Sequence, residues 1–214
     1  PLIHLLAGRG ISVTACDKSS REKLGALADE LEQLGVELHL GEGYLDGLDG
    51  DVIFRTPGMR PDLPQLLAAV ERGSVLTSEM EVFFQVCPCK KIAVTGSDGK
   101  TTTTTIIAGL LERAGYHVHV GGNIGKPLLP EAETMQPDDV AVLELSSFQL
   151  MTMKQSPEIA VMTNLAPNHL DVHKSMEEYC EAKENIFLHQ SAQDKAVFNA
   201  DNAVTLELSQ KAVG

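Results

Sequence analysis

Seven consecutive residues, Thr95, Gly96, Ser97, Asp98, Gly99, Lys100 and Thr101, gather small side chains, two glycines and a lysine between an apolar run and a helical pattern. Small residues at a strand-to-helix turn let backbone N–H groups converge on phosphate oxygens. The helix amino terminus adds about half a positive charge and Lys100 a whole one. The upstream glycine of the Walker A pattern is not in register at Val94 or Thr95, yet these residue types still build a phosphate cradle. The hydroxyl of Thr101 is placed to ligand magnesium on the β- and γ-phosphates. The alternative is a merely structural glycine-rich turn. For the other hydroxyls of the Thr101 to Thr105 run, the plain role is to stabilise the first helical turn.

Further candidates follow along the chain. Glu144 closes the apolar run from Val140, and ligands of open parallel sheets gather beyond the carboxyl ends of strands, so this carboxylate should face the loop and can ligand magnesium. His169 and His173 share the four-residue spacing of helical zinc pairs, but Pro167 disfavours a helix there and the metalloprotease glutamate is missing. A metal or phosphate contact and a satisfied structural histidine both stay open. Lys183 sits within a stripe of Met176, Tyr179, Cys180, Ile186 and Phe187 at helical spacing, with the neighbouring glutamates at 177, 178, 181 and 184 largely off it. A buried ammonium is disfavoured and its pKa falls, so something must compensate it: a buried carboxylate, a side chain that snorkels, or conversion to a carbamate that holds a metal. Gly121, Gly122, Asn123 and Gly125 offer a close backbone approach to a ligand or a tight turn. Asp17 ends a strand where nucleotide-binding sheets often place an acid.

The elements that must position these residues alternate as in a parallel sheet flanked by helices. In the first part, helices are expected at Leu2 to Ala7, Ser20 to Leu34, Leu63 to Glu71 and Glu79 to Val86, with strands at Ile11 to Cys16, Glu37 to Leu40 and Val52 to Phe54. A second α/β unit has strands at Ile92 to Thr95, His117 to Val120, Val140 to Leu145, Glu158 to Thr163 and Ala196 to Asn199. Its helices span Thr101 to Ala114 and Ser175 to Gln190. Pro88 with Lys90 and Lys91 marks the boundary, giving domains 1-89 and 90-214. A length of 214 residues suits two small domains. With 43% hydrophobic and 22% charged residues, disorder, collagen and coiled coil fit poorly. Lys+Arg 17 against Asp+Glu 30 gives −13, which repels a phosphate backbone, so nucleic acid is not an expected partner. Cys16, Cys87, Cys89 and Cys180 contain no C-x-x-C pair, no apolar run reaches membrane length, and a cytoplasmic location with reduced thiols is expected.

The segments TGSDGKTTT from Thr95, GGNIGKPL from Gly121, LELSSFQL from Leu143, NLAPNHLDVH from Asn164, EAKENIF from Glu181 and FNADN from Phe198 resemble the Mur ligase family over nearly the whole chain. GGNIG and LELSSFQL are closest to its D-glutamate-adding members. The resemblance implies an α/β fold, a Rossmann-like UDP-sugar domain followed by a P-loop central domain. It implies an ATP- and Mg2+-dependent ligase that joins D-glutamate to UDP-N-acetylmuramoyl-L-alanine through an acyl phosphate in peptidoglycan synthesis, and a monomer is expected. ATP would lie on Gly96, Ser97, Asp98, Gly99, Lys100, Thr101 and Thr102. Thr101, Glu144, His169 and a carbamylated Lys183 would hold magnesium. Asp17, Lys18, Thr56, Pro57, Gly58, Asn123, Ser146 and Gln149 would contact the UDP-sugar. Many relatives carry an acid where this chain has Asn168. A leading strand with its glycine loop, the end of the central domain and a C-terminal domain are missing from the pattern, so the chain is expected to be a fragment, inactive by itself.

Overall fold

In the computed structural model, which describes residues 1–166 and 173–214, the chain divides into two units, Pro1–Glu79 and Met80–Gly214. The first runs α1 (Leu2–Gly8), β1 (Thr14–Asp17), α2 (Arg21–Leu24), α3 (Ala26–Gln33), β2 (Glu37–Leu40), β3 (Val52–Phe54), α4 (Pro64–Glu71) and β4 (Val75–Thr77). β1 pairs β2 and β3 pairs β4, both parallel, as two separate ladders. The helix expected over 20–34 is broken at Gly25, whose φ of 54° and ψ of −127° interrupt the helical path between α2 and α3. β4, only three residues long, escaped the periodicity reading.

The second unit takes up α5 (Glu79–Val86) almost from its start. Phe83 and Phe84 are buried, and Lys91 Nζ lies 5.9 Å from the Phe84 ring centroid, which ties this helix to the second unit's first strand. Then follow β5 (Lys90–Thr95), α6 (Lys100–Arg113), β6 (Val118–Gly122), β7 (Val140–Glu144), α7 (Ser147–Leu150), β8 (Ile159–Met162), α8 (Met176–Glu184), β9 (Lys195–Phe198) and α9 (Ala203–Leu208). Among the described residues, five strands form one parallel sheet in the order β6-β7-β5-β8-β9. β5 and β7 carry consecutive apolar residues, Ile92 to Val94 and Val140 to Leu143, because parallel strands are covered on both faces. On one face Ile107, Ala108 and Leu111 of α6 pack against Ile92, Val118, Val120, Val140 and Val142.

Register positions the site. Val94 stands opposite Glu144, and Thr95 opposite Met162, so the carboxyl ends of β5, β7 and β8 open at one place. The strands on either side of β5 leave a crevice there, where ligands of such sheets collect. The helix expected over 175–190 ends earlier, at Glu184. Beyond it the backbone tightens, with Ile186 N donating to Lys183 O and Phe187 N to Glu184 O. The short helices α7 and α9 were not anticipated. Each starts on a side-chain cap, Ser146 and Asn202 respectively, and four to six residues are too few for a periodic signal.

Candidate active site

The loop between β5 and α6 departs from a regular turn because of what crosses it. Gly96 has φ 152°, and a Cβ there would stand 1.9 Å from Thr163 Oγ1 and 3.1 Å from Asn164 O. The amides of Ser97 and Asp98 donate to Asn164, to its carbonyl and its side-chain oxygen, both at 2.9 Å. Asn164 Nδ2 donates back to Asp98 O at 3.2 Å, and Thr163 Oγ1 donates to the same carbonyl at 2.7 Å. Those two amides are therefore engaged within the protein. Gly99 adopts φ 77° as the N-cap of the 14-residue α6 and supplies no side-chain cap. The first-turn amides from Lys100 onward have no intrahelical acceptor, so the open donors belong to the helix rather than to the loop before it. Lys100 Nζ donates to Ser97 O at 2.9 Å beside them. Thr102 is exposed in that turn, and Thr105 bonds back to Thr101 O.

Glu144 is 2% exposed and ends β7 with both oxygens held: Thr101 Oγ1 donates to Oε2 at 2.6 Å and Asn123 Nδ2 to Oε1 at 2.7 Å. Gly122 makes this possible. A Cβ on Gly122, at φ 97°, would come within 2.2 Å of Glu144 O, and the amide of Asn123 donates to that same carbonyl at 2.7 Å. A buried carboxylate next to a hydroxyl is an oxygen donor set of the kind a hard cation takes. Asn123, expected on the sugar, is thus seated on the metal-ligand candidate. Ser146 and Gln149 form a capping box at α7, the Ser146 amide donating to Gln149 Oε1 at 3.0 Å and the Gln149 amide to Ser146 Oγ at 3.3 Å.

Lys183, 2% exposed, lies on the buried face of α8 with Tyr179. Its amine donates to Thr95 Oγ1 at 3.1 Å and Gly96 O at 3.0 Å, and sits 4.9 Å from the Tyr179 ring centroid. Among the described residues its amine is met by Thr95 Oγ1, the Gly96 carbonyl and the face of the Tyr179 ring rather than by a paired carboxylate, and its side chain stays buried instead of snorkelling. Burial, then the nearby Lys100, lowers its pKa to about 7. Tyr179 in turn bonds Ser97 Oγ at 3.0 Å, and burial raises its phenol. Glu184, placed off the stripe by spacing, is buried and paired with Lys211 at 2.8 Å, because α8 is flanked on that side too.

His169 lies outside the described residues, as do Pro167 and Asn168. His173 is buried, bonded to Ser147 Oγ at 2.8 Å and stacked on Phe148 at 5.2 Å, the structural role left open for it. In the first unit, Asp17 ends β1 and accepts from the Ser19 amide at 2.7 Å, next to exposed Lys18. Thr56, Pro57 and Gly58 are exposed after β3. Residue typing missed what shapes that turn: buried Arg55 donates to Thr56 O, Pro57 O and Met59 O at 3.3, 3.1 and 2.6 Å. It also passed over Asn164 and Thr163, whose only visible signal was their place just after an apolar strand. The four cysteines are free, and among the described residues no helix is long and apolar enough to cross a membrane.

Comparison with known proteins bears on these residues. The Mur ligase middle domain model matches residues 94–213. Curated relatives named UDP-N-acetylmuramoylalanine--D-glutamate ligase match the whole chain, at 56% identity in Clostridium botulinum and 55% in Acetivibrio thermocellus. The chain spans about half the length of these relatives, 47% and 46%. Among solved structures, a ligase for UDP-N-acetylmuramate and L-alanyl-gamma-D-glutamyl-meso-diaminopimelate from Neisseria meningitides aligns over 99% of this chain and 70% of its own, with TM-score 0.61 and 19% identity. UDP-N-acetylmuramate-alanine ligase from Thermotoga maritima aligns over 97% and 47%, with TM-score 0.53 and 22% identity. At such identities these structures speak to the fold.

Proposed function

The chain belongs to the Mur ligase family, and on that premise we propose that the protein containing it joins D-glutamate to UDP-N-acetylmuramoyl-L-alanine with cleavage of ATP. The identity to ligases so named supports the substrates. The observation that carries the chemistry is Glu144, held between Thr101 and Asn123 at the mouth of an uncapped helix beside Lys100.

A substrate carboxylate that attacks a triphosphate meets like charge, a repulsion of about 4 kcal/mol at about 4 Å and an effective dielectric of about 20. Lys100 and the open amides of α6 would offset the phosphate charge and hold the chain of phosphates in line. Thr101 and Glu144, with His169 by family resemblance, would hold magnesium. Bound there, the ion would supply further charge compensation where negative charge develops. Asn123 keeps the Glu144 carboxylate oriented. Lys183, with its pKa near 7, carries a neutral amine in a large share of molecules at neutral pH. That amine can add to carbon dioxide with loss of a proton, giving an anionic carbamate among oxygen ligands. Asp17, Lys18 and the Thr56, Pro57 and Gly58 turn would receive the UDP group, with Ser146 and Gln149 nearer the sugar. A cytoplasmic site of action suits these substrates.

Product analysis of the full-length protein with ATP, Mg2+, the UDP-sugar and D- or L-glutamate tests the proposal. ADP, free phosphate and a new amide with the D-isomer are expected. A phosphorylated acceptor without an amide would mark a kinase instead. For the carbamate, Lys183→Ala should lose activity that added formate or acetate partly restores, and a variant that no small acid revives counts against it.

A further inference from the structure

His117 immediately precedes the edge strand β6 and His119 lies within it, so the two, two residues apart, point to one side of it. It is the face opposite Val118 and Val120, which pack toward α6. Asp139 immediately precedes β7, and the parallel register that sets Val118 opposite Val140 brings it beside both histidines. The Val140 amide donates to His117 O at 3.0 Å and locks that register. His117 Nδ1 is 3.2 Å from Asp139 Oδ1, His119 Nε2 is 2.9 Å from Oδ2, and the three ligand atoms lie within 4.8 Å of one another.

We propose that His117, His119 and Asp139 form a binding site for a divalent transition-metal ion of the zinc type. Bonds of about 2.0–2.1 Å in a tetrahedral arrangement separate neighbouring ligand atoms by about 3.3 Å, so the gap from His119 Nε2 to Asp139 Oδ2 needs to open by only a few tenths of an ångström. The nitrogens must approach each other further, and His117 can make that movement because its side chain is 73% exposed. The other two are held: His119 and Asp139 side chains are 11% and 9% exposed, and the Gln136 amide fixes the carboxylate by donating to Oδ2 at 2.9 Å. Two imidazoles with one carboxylate suit zinc, nickel or cobalt rather than magnesium. Three protein ligands leave the fourth position to water.

The site is separate from the proposed phosphate site. Asp139 immediately precedes β7 and Glu144 ends it, five residues and therefore about 16 Å apart. A bound ion would clip the edge strand to the entry of its neighbour.

Zinc chloride titrated into the full-length natural protein, stripped of metal and free of nucleotide, tests this by calorimetry. The wild type should show a site tighter than about 100 µM. That site should weaken at least about tenfold in His117→Gln and vanish in His119→Gln and Asp139→Asn. Cys87→Ser should leave it unchanged, which separates it from the thiols. A wild type with no site of that strength, or a His117→Gln variant that binds as tightly as wild type, overturns the proposal. Because His117 is exposed, its variant decides the matter even where the Asp139 change fails to fold.

Discussion

Lys100 rests on the Ser97 carbonyl at 2.9 Å, a contact it can exchange for a phosphate oxygen. Lys100→Ala should therefore lower ATP turnover by about 10²–10³ while the unfolding midpoint holds, and near-normal turnover would remove it from the cradle. Lys183 presents the opposite case, a cation the fold disfavours. Its folded pKa of about 7 lies below the ordinary 10.5, so between those values the unfolded chain holds a proton that the folded one has released. Stability must then rise with pH across that window, with the burial cost fully present below pH 7. Lys183→Met lacks this term. From about pH 7 to about pH 9 the wild type should gain about 2 kcal/mol on the variant. Urea unfolding at both pH values in carbon-dioxide-free buffer measures the difference, and a constant gap would show that the amine is not strained by burial.

At the level of elements, the meeting of β6 with β7 does most to form the site. Gly122 lets the chain pass over the end of β7, where a Cβ would lie 2.2 Å from Glu144 O. Gly122→Ala should cost about 1–3 kcal/mol in urea unfolding and lower activity as well, since the carboxylate it displaces is the one that Thr101 and Asn123 hold. Unchanged stability would mean that the strand end relaxes freely. Sequence periodicity located β5, α6, β7 and β8, which are long or wholly apolar. It placed one helix across Gly25 and extended α8 past Glu184, because both breaks come from backbone geometry that leaves the apolar spacing intact. It missed α7 and α9 because a helix of one or two turns is held by its cap, not by a face.

For the whole molecule, a charge of −13 opposes compaction at neutral pH and is screened over about 10 Å at about 0.1 M salt. Raising sodium chloride from about 20 to about 200 mM should raise the melting temperature of the 214-residue polypeptide. A repulsion of about 1 kcal/mol corresponds to about 2–4 °C, and a fall with salt would show that local ion pairs outweigh the net charge. The candidate site was legible in part. Glycines, Lys100 and Thr101 stand side by side in the chain and announce a phosphate cradle through residue type alone, and the lysine amid an apolar stripe betrays itself by spacing. Which partners those residues find was decided only on folding. Thr101 meets Glu144 across 43 residues and Asn123 meets it across 21, while Asn164 reaches back 66 to clasp the loop at Asp98. The same holds for the two histidines and Asp139. Composition and local periodicity determine which segments become strands, but the order and register of parallel strands arise from packing both faces of the sheet at once, and they alone decide which strand ends become neighbours.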